Sequence, residues 1–67
     1  MRSVLINWHG AIYRMGKRQY VHFLRTLLED ADVLPEHFGA RYVGILRASP
    51  GRFGQEEIEA ELRSLEG

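Results

Sequence analysis

Apolar positions change period three times along this chain, and those changes set out its elements. Val4 to Trp8 alternates with a period of two, and Ala11 to Met15 alternates again across His9-Gly10. A two-residue loop there pairs Trp8 with Ala11, Asn7 with Ile12, Ile6 with Tyr13, Leu5 with Arg14 and Val4 with Met15. In this register Val4, Ile6, Trp8, Ala11, Tyr13 and Met15 share one face, and Leu5, Asn7, Ile12 and Arg14 take the other. A slip of one residue scrambles both faces, so the pattern predicts a hairpin. Gly10 supplies the positive φ of the turn, and histidine tolerates the left-handed region at its first position.

From Gly16 to Ala31 the period becomes helical. Tyr20, Phe23, Leu24, Leu27, Leu28 and Ala31 recur at i, i+3, i+4, i+7, i+8 and i+11, a full stripe three turns long. Gly16 suits the N-cap, Gln19 the reach-back position, and Met15 with Tyr20 a hydrophobic staple. Leu34 precedes Pro35 and is pushed out of helical geometry. Pro35-Glu36-His37-Phe38-Gly39 then predicts a single turn that drops Phe38 onto the core.

Arg41 to Ala48 reads as a third strand, with Val43 and Ile45 on one side and Tyr42, Gly44 and Leu46 on the other. The intervening helix permits a parallel pairing with either hairpin strand through a right-handed crossover, and the partner strand stays open. Ser49-Pro50-Gly51-Arg52-Phe53-Gly54 is a turn or short loop. Gln55 to Leu65 forms a second helix with Ile58, Leu62 and Leu65 on a narrow stripe, where Gly54, Glu57 and the pair Phe53–Ile58 repeat the capping devices of the first.

The expected architecture is therefore α+β, a single ββαβα domain over 1–67. A three-stranded sheet packs on the central amphipathic helix, and a C-terminal acidic helix joins it. The expected core is Val4, Ile6, Trp8, Tyr13, Tyr20, Phe23, Leu24, Leu27, Leu28, Phe38, Val43 and Ile45.

Composition adds that this core must suffice without staples. Sixty-seven residues lie near the lower limit for one hydrophobic core, and there is no cysteine. The N-terminal apolar run is too short for a signal peptide, and nothing approaches a membrane span, so the expected location is the cytoplasm.

The zero net charge hides a split. Residues 1–54 carry eight Lys and Arg against four Asp and Glu, and residues 55–67 carry one Arg against five Glu. Lys17 and Arg18 sit at the positive end of the main helix and Glu29, Asp30 and Asp32 at its negative end, each opposing the macrodipole by about 0.3–1 kcal/mol. Arg18, His22 and Arg25 share one face, with Arg14 and Lys17 near its start. An Arg25–Glu29 pair one turn apart is the bland account of that face. A binding site is the other, because a sequence that departs from a local rule is often keeping the position for a partner.

Chemistry is sparse. His9, His22 and His37 lack the i, i+4 spacing of a metal pair, and Ser3, Ser49 and Ser64 lack a nucleophile elbow. Gly51-Arg52-Phe53-Gly54 leads into a helix without the lysine or spacing of a phosphate loop. No enzyme activity, cofactor or metal is expected. Gln55-Glu56-Glu57-Ile58-Glu59-Ala60-Glu61-Leu62 resembles the first helix of helix-turn-helix domains. An acidic helix is a poor neighbour for phosphate, so DNA binding is not carried over from it.

The expected function is a small non-catalytic protein-interaction module, a regulator or inhibitor that docks on a larger protein. By analogy, compact motif-free chains of this length are typical of phage and mobile-element accessory proteins that act on transcription or defence machinery. Leu5, Ile12, Tyr42 and Leu46, on the far side of the sheet, are the candidate protein interface, unless the last helix covers them. A homodimer is a further reading. The alternative is a nucleic-acid binder using the basic face Arg14, Lys17, Arg18, His22 and Arg25, with arginines beside aromatics at Tyr13-Arg14, Arg41-Tyr42 and Arg52-Phe53.

Overall fold

A computed structural model describes residues 2–46 and 53–66. Its order is β1 (Ser3–Trp8), β2 (Ala11–Gly16), α1 (Lys17–Glu29), a 3-10 turn (Pro35–Phe38), β3 (Arg41–Ile45) and α2 (Gln55–Glu66). This is a small α+β domain. The expected end of the third strand at Arg47-Ala48 and the loop through Arg52 lie outside the described residues.

The hairpin takes the register read from the alternation, from Val4 opposite Met15 to Trp8 opposite Ala11. His9 and Gly10 carry the positive φ values, 52° and 89°, and the Asn7 side-chain oxygen accepts the Gly10 N–H at 2.8 Å. The inner face buries Ile6 and Met15 and packs Val4, Trp8 and Tyr13 against the same cluster.

α1 starts as its sequence demands. The Gln19 side-chain oxygen accepts the Gly16 N–H at 2.8 Å, and Tyr20, Phe23, Leu24 and Leu27 are buried. The helix stops at Glu29, short of Ala31, because Asp30 turns the chain: its carboxylate accepts the Asp32 N–H at 3.0 Å. Competition of this kind between an Asp side chain and the backbone favours helix ends. Ala31 is consequently exposed and Leu28 is 39% exposed, so neither belongs to the core as expected.

The segment after α1 runs back along it. Phe38 packs edge-on against Phe23 (ring centroids 5.5 Å apart) and also meets His22, while Gly39 lies beside the Gln19 side chain in α1's first turn. Gly39 has φ 81°, and the His37 Nδ1 accepts the Leu34 N–H at 3.1 Å. The chain thus re-enters the sheet where β2 ends. β3 therefore runs antiparallel to β2, giving the order β1-β2-β3, and the parallel crossover does not occur.

The third strand departs from plain alternation. Ile12 faces Gly44 but Tyr13 faces Tyr42, so Val43 is the extra residue of a β-bulge. The bulge brings Tyr42 to the same face as Tyr13, their rings 5.9 Å apart and edge-on. α1 packs over β1 and β2, and Val43 and Ile45 stay 52% and 73% exposed instead of entering the core.

α2 settles beside α1, buries Ile58 and packs Leu62 and Leu65 against the cluster. Phe53 anchors its start against Trp8 and Phe23. The Glu57 side chain folds back over Gly54, as the repeated capping pattern predicts. The Tyr20 hydroxyl donates to the Glu61 carboxylate at 2.9 Å. Burial first, then that acceptor and its charge, push the Tyr20 phenol far above its ordinary value. The folded state therefore favours the neutral phenol. That contribution is whole below the unfolded value of about 10 and is lost as pH rises through it. The urea midpoint is expected to fall steeply above about pH 10, and Tyr20→Phe should flatten the fall while costing about 0.5–1.5 kcal/mol at neutral pH.

Candidate functional site

With both helices on the inner face, the outer face of the sheet is left to solvent. Leu5 is 61% exposed there, Ile12 is half-buried, and Asn7 and Arg14 complete the set expected from the hairpin register. Gly44 lies opposite Ile12 on that face, with no atom within 4 Å of where a Cβ would stand, so the surface between Ile12 and β3 is open. Leu46 follows β3 and is 44% exposed, and its N–H donates to the Gly10 carbonyl at 2.9 Å.

Tyr42 does not share this face. The bulge turns it to the side of Tyr13, so the expected quartet Leu5, Ile12, Tyr42 and Leu46 is not one patch. What alternation missed is Val43 and Ile45, which are exposed along β3 because α1 does not reach that strand. Among the described residues β3 pairs with β2 alone, and its other edge has no strand beside it. The Tyr13 phenol, beneath this strand, is held above its ordinary value by desolvation, then by the Glu36 carboxylate and by Tyr42.

The basic face is also rearranged. Arg25 pairs with Glu66 of α2, not with Glu29, and both side chains are largely exposed, which limits the pair to about 0–1 kcal/mol. His22 lies against the Phe38 ring, 5.1 Å between centroids. Arg14, Lys17 and Arg18 remain together at the start of α1, where the structure adds two cations that helical periodicity does not select. Arg41 stands directly opposite Arg14 across β2 and β3, and the Arg2 carbonyl accepts the Lys17 N–H at 3.3 Å. Register across three strand ends is the signal for these two.

A cleft of about 510 Å³ lies between β1 and α2, floored by Ile6, Leu24 and Ile58 and rimmed by Glu57 and Glu61. Glu61 is already engaged by Tyr20, and the cleft gathers no set of reactive groups. Among the described residues no group of three His, Asp or Glu side chains is placed to hold a metal ion, and no helix is long and apolar enough to cross a membrane. No protein-family model, curated protein or solved structure matches this chain.

Proposed function

We propose that this protein is a non-catalytic interaction module, a regulator or inhibitor that docks on a larger protein through β3 and the adjoining outer face of the sheet. One observation carries the reading. Ile45 and Val43 of β3 and Leu46 just after it are 73%, 52% and 44% exposed, on a strand whose outer edge has no partner among the described residues. A small domain gains little by displaying apolar side chains beside free backbone donors and acceptors, an arrangement that invites self-pairing. An extended segment of a partner adds to such an edge by main-chain hydrogen bonds, and alternate side chains supply the specificity. Leu5 and Ile12 extend the apolar surface next to it.

Affinity capture with the full chain tests this. One dominant protein should be retained, and Ile45→Asp or Leu46→Asp should release it while Arg25→Ala does not. Circular dichroism should show both aspartate variants folded, since each side chain replaced is exposed. Capture that is indifferent to both substitutions overturns the reading. A mass that doubles with concentration in ultracentrifugation, and reverts in Ile45→Asp, makes the occupant a second copy instead of another protein.

A further inference from the structure

The end of the sheet where β1 begins, β2 stops and β3 starts collects five cations. Arg14 and Arg41 are a directly opposed pair in the β2–β3 register, and like charges in that position repel. Lys17 and Arg18 open α1 at its positive end, which also opposes them. Arg2 joins them through its carbonyl contact with Lys17.

Two grooves cross this end. One, of about 220 Å³, is lined by Arg2, Arg14 and Arg41; the other, of about 700 Å³, by Arg2, Lys17 and Arg18. They share Arg2, Gly16 and Gln19 and so form one track, and no carboxylate is among the described residues that line either. Among the described residues the one ion pair is Arg25–Glu66, so none of the five cations is ion-paired with another described residue. Glu36, on the neighbouring return segment, is the carboxylate near the Tyr13 phenol and lines neither groove. Tyr42 follows Arg41 on the opposite face of the edge strand β3, outside the lining of either groove, 58% exposed and braced on Tyr13.

We propose that this track binds single-stranded nucleic acid, with phosphates running from Arg41 and Arg14 past Arg2 to Lys17 and Arg18, and a base reaching round the edge of β3 to stack on Tyr42. Repelling cations that converge on a groove are relieved by a polyanion. Four of the five are arginines, whose planar fork holds phosphate oxygens in pairs. An exposed aromatic ring across the strand edge from such a groove accepts an unpaired base of any sequence, which a duplex does not present and an acidic peptide lacks. The site goes beyond the docking strand and does not rest on it: the track takes Arg41 and Tyr42 at the near end of β3, and docking takes Val43 to Leu46.

Fluorescence anisotropy with the full chain and labelled DNA and RNA strands of about twelve nucleotides tests the proposal. Binding should appear at about 20 mM salt and weaken with a log–log slope of about −2 to −3, the value for three or four phosphates. Arg14→Gln with Arg41→Gln should lose at least about tenfold, and so should Lys17→Gln with Arg18→Gln, each with a shallower slope. Both pairs remove repulsion, so both variants should stay folded. Tyr42→Ala should lose about fivefold with the slope unchanged, and Arg25→Gln should bind as the parent does. No binding at low salt, affinity unchanged from the parent in either double variant, tighter binding of a duplex, or displacement by polyglutamate of equal charge overturns it. The last result assigns the track to an acidic protein segment.

Discussion

Phe23→Ala is expected to remove about 3–5 kcal/mol of stability, which is most or all of what a domain of this size holds, about 5 kcal/mol at the low end of the usual range. Phe23 is fully buried and is the side chain on which separate parts of the chain converge. Trp8 of β1 meets it edge-on at 5.4 Å, Phe38 of the return segment at 5.5 Å, and Phe53 ahead of α2 at 6.2 Å. Truncation opens a cavity that no single neighbour can close, and edge-to-face pairs contribute beyond the area they bury. Far-UV circular dichroism at 25 °C with a urea titration reads the outcome: the variant should be unfolded, or nearly so, before denaturant is added. Leu28→Ala, at a site 39% exposed in the same helix, should cost less than about 1 kcal/mol. A Phe23→Ala protein with the parent's midpoint contradicts the packing described.

Gly39→Ala should be the most damaging change of a single small residue outside the core, at about 2–3 kcal/mol. Two independent causes add there. Gly39 has φ 81°, a left-handed conformation that costs an L-residue about 1–2 kcal/mol. A Cβ at that position also stands 2.9 Å from the Gln19 side-chain nitrogen, so Gln19 must move. Its oxygen holds the Gly16 N–H, and losing that bond frays the start of α1. Gly44→Ala is the matched control, with ordinary φ and no atom within 4 Å, and should change stability by no more than about 0.5 kcal/mol. Urea midpoints of the two variants side by side decide the point; equal effects contradict the assigned turn.

The hairpin and α1 were legible because each is governed by a period the sequence repeats. His9-Gly10 is a local turn, and Tyr20, Phe23, Leu24 and Leu27 pack as their spacing dictates. The third strand was legible as a strand but not in its direction or faces. Its direction follows from the return segment, which depends on Phe38 finding Phe23 and Gly39 finding Gln19 across the tertiary structure. Its faces depend on the bulge at Val43, which no alternation predicts. Met15, Pro35 and Ile58 are buried for the same tertiary reasons. The basic residues divide differently from the face drawn on a helical wheel. Arg25 is drawn off by Glu66, contributed by an element distant in sequence, while Arg2 and Arg41 arrive from strand ends.

The backward path from α1 to β3 has a consequence for how the molecule assembles. The hairpin closes over two residues, whereas β3 is separated from β2 in sequence by α1 and the return segment. Long closures form late and their entropy is recovered last. β3, paired on one side only among the described residues, is then expected to be the final strand to lock and the first to let go. A ligand that grips it selects the finished fold over its precursors, so that occupancy of this edge and persistence of the native chain rise and fall together.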